Sequence, residues 1–176
     1  MILEEKLKSE IRDVPDFPVP GIIFKDITPI MMNPVLSKEV LEELKQSVLD
    51  LGITKIAGIE SRGFLFGYPL AMELGLPFVL IRKKGKLPYH KVSHAYALEY
   101  GQAEIEMHID AVNETDTVLI HDDLLATGGS ASAAGQLVNN CGAKVAGFSF
   151  LVELEFLRGR EKLLPFTENI LTLVRY

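Results

Sequence analysis

The chain has 176 residues, 48% of them apolar and 24% charged, with a net charge of −6, the make-up of one soluble globular domain. That acidity excludes nucleic acid as the main partner, because neutralising phosphates takes clustered cations. No apolar run approaches the ~20 residues that span a bilayer, the N-terminus lacks the long apolar core of a signal peptide, and a lone Cys141 cannot form an internal disulfide, so a cytoplasmic protein with no membrane partner is expected.

Ile2, Leu3, Leu7 and Ile11 fall at helical spacing and predict a short amphipathic helix over residues 2–12. Pro15, Pro18, Pro20 and Gly21 then break regularity, giving a loop or hood segment before Ile22–Phe24. One helical face runs through Val40, Leu41, Leu44, Val48 and Leu51, with Ser37 as N-cap and Gly52 as the stop. Lys55–Ile59 is a short apolar strand, followed by a helix within Phe64–Leu74 whose Pro69 fits its first turn, then a strand at Pro77–Ile81. Ala95–Glu99 and Glu104–His108 flank Tyr100-Gly101-Gln102 as an antiparallel hairpin. Thr117–His121 reads as a buried strand ending at Asp122-Asp123. A helix over Ser130–Asn140 stops near Gly142, and strands at Lys144–Val152 and Asn169–Val174 complete the chain. Short apolar strands alternating with helices predict an α/β fold, a three-layer arrangement around a mainly parallel sheet with sites at the strands' C-terminal ends. With no repeat or long polar linker, residues 1–176 read as a single domain.

Two stretches carry chemistry. After the apolar strand and Asp122-Asp123, the run Ala126-Thr127-Gly128-Gly129-Ser130 opens a helix. Small residues let backbone amides approach an anion, a helix start adds unsatisfied N–H groups and a positive dipole end, and Thr127 and Ser130 add hydroxyl donors. Each hydrogen bond to a charged phosphate contributes on the order of 1.5–3 kcal/mol, so several make an anchor. Two carboxylates beside a phosphate make sense only if they face ribose hydroxyls or a metal-bound water. The run lacks both the Gly-Lys-Ser/Thr of a P-loop and the Gly-x-Gly-x-x-Gly of a dinucleotide fold. The second stretch, Arg82-Lys83-Lys84-Gly85-Lys86, is either a solvated loop or a site for a strongly anionic small molecule.

Strand, acidic pair and Ala-Thr-Gly-Gly-Ser together resemble the phosphoribosyl-binding motif of the type I phosphoribosyltransferases. Asp16–Ile27, Gly58–Gly67, Leu80–Pro88, Leu98–Gly101 and Leu151–Leu154 with Gly159–Leu163 are similar, in order, to the adenine phosphoribosyltransferase family. The resemblance implies a type I phosphoribosyltransferase fold with an N-terminal helix and base-binding hood (1–30) and a flap and hairpin (82–108). It implies transfer of a 5-phosphoribosyl group from phosphoribosyl pyrophosphate to adenine, giving AMP and pyrophosphate. It implies a homodimer, and Mg2+ carried on the substrate pyrophosphate rather than held directly by the protein.

The same resemblance distributes roles. Asp122 and Asp123 take the ribose hydroxyls, and Ala126, Thr127, Gly128, Gly129 and Ser130 cradle the 5-phosphate. Glu60, Ser61, Arg62 and Gly63 form a pyrophosphate loop, with Arg62 also catalytic, and Arg82, Lys83 and Lys86 surround the pyrophosphate. The segment from there to about His94 is a mobile flap. Glu99 is the general acid/base near purine N7. Ile23 and Lys25 meet adenine, while Phe24 and Leu154 pack on its faces. His121 stands where the family commonly has an aliphatic residue and receives no role. Ser130 replaces the more usual threonine, and Pro88-Tyr89-His90-Lys91 departs from the family's flap. Two other readings share the loop: transfer to a different purine base, and a non-catalytic regulator that senses phosphoribosyl pyrophosphate.

Overall fold

A computed structural model describes residues 2–97 and 101–176, which divide into two compact units, Met1–Leu44 and Lys45–Tyr176.

In the first unit, α1 (Leu3–Glu10) buries Leu7, and the Glu5 carboxylate accepts the Ile2 backbone N–H at 3.2 Å. The proline-rich stretch is more regular than expected. β1 (Arg12–Pro15) pairs antiparallel with β2 (Ile23–Asp26), from Arg12↔Asp26 to Pro15↔Ile23. With one apolar residue and a terminal proline, β1 carries no strand pattern of its own; a proline is tolerated because the ribbon has no third strand. The connecting turn closes where the Gly21 N–H donates to Asp16 Oδ1 at 2.7 Å. A short α2 (Thr28–Met32) follows, its first N–H taken by Asp26.

Helix α3 (Pro34–Val48) crosses the boundary between the units and starts before Ser37. Asn33 Oδ1 accepts the Leu36 N–H at 3.2 Å and Pro34 occupies the first turn, while the Ser37 hydroxyl donates to the Ile30 carbonyl at 2.8 Å. A 3-10 turn over Leu49–Leu51 carries the chain to Gly52, which stops it at φ 60°.

The second unit holds a seven-stranded sheet. Its strands are β3 (Lys55–Ile59), β4 (Phe78–Lys83), β5 (Lys91–Ala97), β6 (Gln102–His108), β7 (Thr117–Leu125), β8 (Lys144–Glu153) and β9 (Ile170–Arg175), in spatial order β5-β6-β4-β3-β7-β8-β9. Neighbours from β4 to β9 run parallel, and the β5–β6 hairpin joins antiparallel through Arg82↔Glu106 and Lys83↔Ile105. The α/β expectation of a mainly parallel sheet therefore holds.

Helices α4 (Gly63–Leu74) and α5 (Gly129–Asn140) flank the sheet. Ala57, Ile59, Val118 and Ile120 pack in one cluster with Ala131, Ala134, Leu137 and Val138 of α5. The alternate positions meet α4 at close range: a Cβ on Gly67 would lie 3.3 Å from His121 Cδ2, and one on Gly58 would lie 3.1 Å from the Gly63 carbonyl. Pro69 sits inside α4 rather than in its first turn, because the helix begins at Gly63. No helix among the described residues is long and apolar enough to cross a membrane.

Candidate active site

Strand β7 outlasts its neighbour. Its pairing with β3 ends at Gly58↔His121, but its pairing with β8 continues to Leu125↔Glu153, so Asp122 and Asp123 belong to the strand rather than to a turn after it. Where β3 stops short, a pocket of about 450 Å³ opens, lined from Asp122 continuously to Ala131, by Ile59 at the end of β3 with Glu60 and Arg62 after it, by Lys83 on β4, and by Tyr96, Ala103 and Ile105 of the hairpin.

The anion cradle lies between β7 and α5. Gly128 takes φ 75°, a left-handed turn that side chains resist, and α5 starts at the next residue. A Cβ on Gly128 would collide with the Gly159 carbonyl, and a Cβ on Gly159 with the Ala126 carbonyl, so two backbones touch where only glycine fits. Gly159 is held there by Arg160, which donates to Glu153 at 3.1 and 2.6 Å and to the Ile170 carbonyl at 2.8 Å. Burial pushes the Glu153 carboxyl up, but the Arg160 bonds and charge prevail and hold it below its ordinary value. The C-terminal signature segments thus buttress the cradle, a role their sequence does not disclose.

Asp123 is buried and Asp122 half-buried. Arg62 Nε lies 3.1 Å from Asp123 Oδ2, a charge pairing rather than an aligned hydrogen bond, since that oxygen has no hydrogen-bond partner among the described residues. The Asp123 N–H donates to Asp122 Oδ1 at 2.9 Å. Desolvation, then the neighbouring Asp123 charge, raise Asp122 well above the usual carboxylate range; desolvation also raises Asp123, although Arg62 pulls against it. Both carboxyls are thus held up chiefly by burial, which Arg62 offsets only in part.

Glu60 organises the cations. Its carboxylate accepts the Lys83 N–H at 2.9 Å and Arg82 Nε and Nη2 at 3.2 and 3.4 Å. Desolvation raises this carboxyl, but those bonds and charges outweigh it, leaving it lowered. Arg82 also donates to the Lys86 carbonyl at 3.0 Å, and Lys84 pairs with Glu104 at 2.6 Å. Of the residues expected around pyrophosphate, Glu60, Arg62 and Lys83 line the pocket; Ser61, Gly63, Arg82 and Lys86 do not. Gly63 packs on β7 instead, where a Cβ would meet the His121 carbonyl, and the Glu60–Ser61 peptide is cis.

The model of the phosphoribosyl transferase domain family matches residues 32–165. Adenine phosphoribosyltransferase of Cytophaga hutchinsonii is 50% identical over 175 residues, covering 99% of this chain and 97% of that protein. The chain belongs to the adenine phosphoribosyltransferase family. The Streptomyces clavuligerus adenine phosphoribosyltransferase is 51% identical, over 92% of this chain and 91% of its own. The crystal structure of the Thermoanaerobacter pseudethanolicus enzyme is similar with a TM-score of 0.95 at 46% identity, covering 99% of this chain and 100% of that one. The Saccharomyces cerevisiae enzyme, solved with an imino-altritol bisphosphate and adenine, gives 0.90 at 40% identity over 97% and 98%.

Several residues singled out by the adenine phosphoribosyltransferase resemblance are not among those lining this pocket. Ile23, Phe24 and Lys25 are on β2 in the first unit, with Ile23 exposed, Phe24 edge-on to Phe17 at 5.2 Å and Lys25 Nζ 2.6 Å from Asp13. Leu154 follows β8, its N–H bonded to the Leu125 carbonyl at 2.9 Å. Glu99 lies outside the described residues. Within the stretch expected as a flap, Lys91–His94 are paired in β5, from Lys91↔His108 onward. His121 is a core residue: it is buried, Nδ1 is 2.8 Å from Ser149 Oγ, and desolvation drives it down to about 4, so it is neutral. Tyr96 was not anticipated; alternation in the hairpin put it on the inner face, but nothing in the sequence pointed it at the cradle.

Proposed function

We propose that phosphoribosyl pyrophosphate binds in the pocket at the β7–α5 junction. The chain transfers its 5-phosphoribosyl group to adenine, forming AMP and pyrophosphate. One observation carries the placement: three acidic residues, a hydroxyl-bearing helix start, an arginine and a lysine all line a single cavity. Displacing pyrophosphate from C1 builds positive charge on the ribose and negative charge on the leaving group, so the site must hold both partners in line and receive both charges.

In this reading Asp122 and Asp123 accept the ribose hydroxyls and keep negative charge beside the sugar. Ala126, Thr127, Gly128, Gly129 and Ser130 cradle the 5-phosphate. Arg62 and Lys83 meet the pyrophosphate, the planar fork of Arg62 suiting its oxygens. Glu60 steers Arg82 and the Lys83 backbone towards it, and Ser61, Gly63 and Lys86 complete the two loops. Glu99 exchanges a proton with the base, an effect worth roughly 10²–10⁴-fold. Ile23, Phe24, Lys25 and Leu154 form the adenine contacts.

The two raised carboxyls suit a cation arriving with the substrate, because burial is the first cause of both shifts and a cation beside them would favour their charged forms. Mg2+ bound on phosphoribosyl pyrophosphate would supply charge neutralisation for the departing pyrophosphate. Asp122 and Asp123 would face it through ribose hydroxyls or its water. Assembly as a homodimer is supported by Leu65, Tyr68 and Met72, which form an apolar stripe along α4 at 42%, 54% and 66% exposure. A cytoplasmic setting is supported by the single cysteine.

The test is AMP formation from adenine, phosphoribosyl pyrophosphate and Mg2+, run beside hypoxanthine, guanine and xanthine. Preference for a 6-oxo purine would overturn the base assignment. Glu99→Leu should abolish most turnover while phosphoribosyl pyrophosphate still binds.

A further inference from the structure

Tyr96 stands on β5 opposite Ala103 of β6 and reaches from the hairpin into the pocket. Its ring lies against Gly129, where an added Cβ would sit 3.4 Å from Cδ2. Its hydroxyl ends 3.0 Å from Ser130 Oγ, and either oxygen can be the donor. This is the hairpin's hydroxyl contact with the cradle, made across 34 positions of sequence.

A serine hydroxyl has one proton and two lone pairs. A phosphate dianion beside Ser130 offers only acceptors, so the Ser130 proton must turn to it. The Tyr96 hydroxyl then has to be the donor to Ser130 Oγ, and donation into that oxygen strengthens the bond Ser130 gives onward. An anion in the cradle thus fixes one of two proton arrangements, and Tyr96 supplies the half that fits.

We propose that Tyr96 is a positioning residue for the 5-phosphate, orienting the Ser130 hydroxyl and coupling the β5–β6 hairpin to occupancy of the cradle. The inference rests on the reading of Ala126–Ser130 as the 5-phosphate site. Tyr96 touches no reacting atom. It acts through Ser130, and it ties the strand that precedes Glu99 in sequence to the part of the substrate that does not react.

The experiment is a double-mutant cycle in the intact enzyme, with Tyr96→Phe, Ser130→Ala and the pair together. The readouts are KM for phosphoribosyl pyrophosphate, KM for adenine, kcat, and calorimetric affinity for ribose 5-phosphate. Tyr96→Phe keeps the ring and should raise KM for phosphoribosyl pyrophosphate by roughly 3–10-fold, with a matching loss of ribose 5-phosphate affinity and little change in adenine KM. The double variant should bind no worse than Ser130→Ala alone. In a Ser130→Thr background, which restores the hydroxyl, Tyr96→Phe should cost affinity again. Equal KM values for Tyr96→Phe and wild type, or effects that multiply in the double variant, would overturn the positioning role while leaving the cradle intact. Unchanged ribose 5-phosphate affinity in Ser130→Ala would instead sink the cradle reading, and this inference with it.

Discussion

Arg62 and Asp123 meet across the pocket, with the guanidinium Nε 3.1 Å from the carboxylate Oδ2. The pair joins a group proposed for pyrophosphate to a group proposed for ribose, so a substrate engaging both must draw them apart or bridge them. Arg62→Lys keeps the charge and loses the planar fork. It should lower kcat/KM for phosphoribosyl pyrophosphate by roughly 10–100-fold in steady-state assays, the equivalent of one or two charged hydrogen bonds. An unchanged value would take Arg62 out of the pyrophosphate site.

Asp122 is held above the ordinary carboxylate range by desolvation and by Asp123. For an acid raised in the fold, the folded state binds the proton more tightly, so stability falls as pH rises above the unfolded value of 3.8 towards the folded one. At neutral pH the raised carboxyl therefore costs the unliganded protein stability. Asp122→Asn should raise Tm at pH 7, by roughly 2–4 °C for each kcal/mol recovered, while weakening phosphoribosyl pyrophosphate binding. Scanning calorimetry on the free enzyme at pH 7 checks it, and a lower Tm would refute it.

His121 works in the opposite direction. Its folded value of about 4 lies below the ordinary 6.5, so only the unfolded chain takes up the proton between those limits. Stability should be whole above pH 6.5 and decline as pH falls towards 4, by up to about 3 kcal/mol. Urea unfolding at stepped pH should show this slope in wild type and a shallower one in His121→Leu. Parallel slopes would mean the acid sensitivity lies elsewhere.

Gly159 offers a test of the buttress behind the cradle. A methyl group there meets the Ala126 carbonyl and the Gly128 N–H, both backbone, so neither yields cheaply. Gly159→Ala should cost about 1–3 kcal/mol of stability, as overpacking does. It should also raise KM for phosphoribosyl pyrophosphate more than KM for adenine. Equal rises in both would argue that the loop is not specific to the sugar phosphate.

What the residues disclosed beforehand follows from where the information sits. β3, β7 and α5 are legible because Ile56–Ile59 and Val118–Ile120 are continuous runs without a charge and Gly128 marks a turn, all local signals. The true length of β7 is not, because Asp122–Leu125 become strand only by pairing with β8. β1 was missed for the same reason, having a partner but no pattern. At the site, the motif residues announced an anion cradle and two carboxylates. The bond from Tyr96 to Ser130 and the brace from Arg160 to Glu153 arise when distant segments meet, and no spacing encodes them.

The hairpin is sewn to the parallel sheet by a seam of two register pairs, Arg82↔Glu106 and Lys83↔Ile105, with one further backbone bond from the Lys84 N–H to the Glu104 carbonyl. The ladder between β7 and β8, by contrast, runs over eight register pairs. The seam falls on the cations proposed to meet pyrophosphate. The residues that attach the hairpin to the sheet are thus the ones Glu60 grips, so attachment and charge placement share one short stretch at the end of β4.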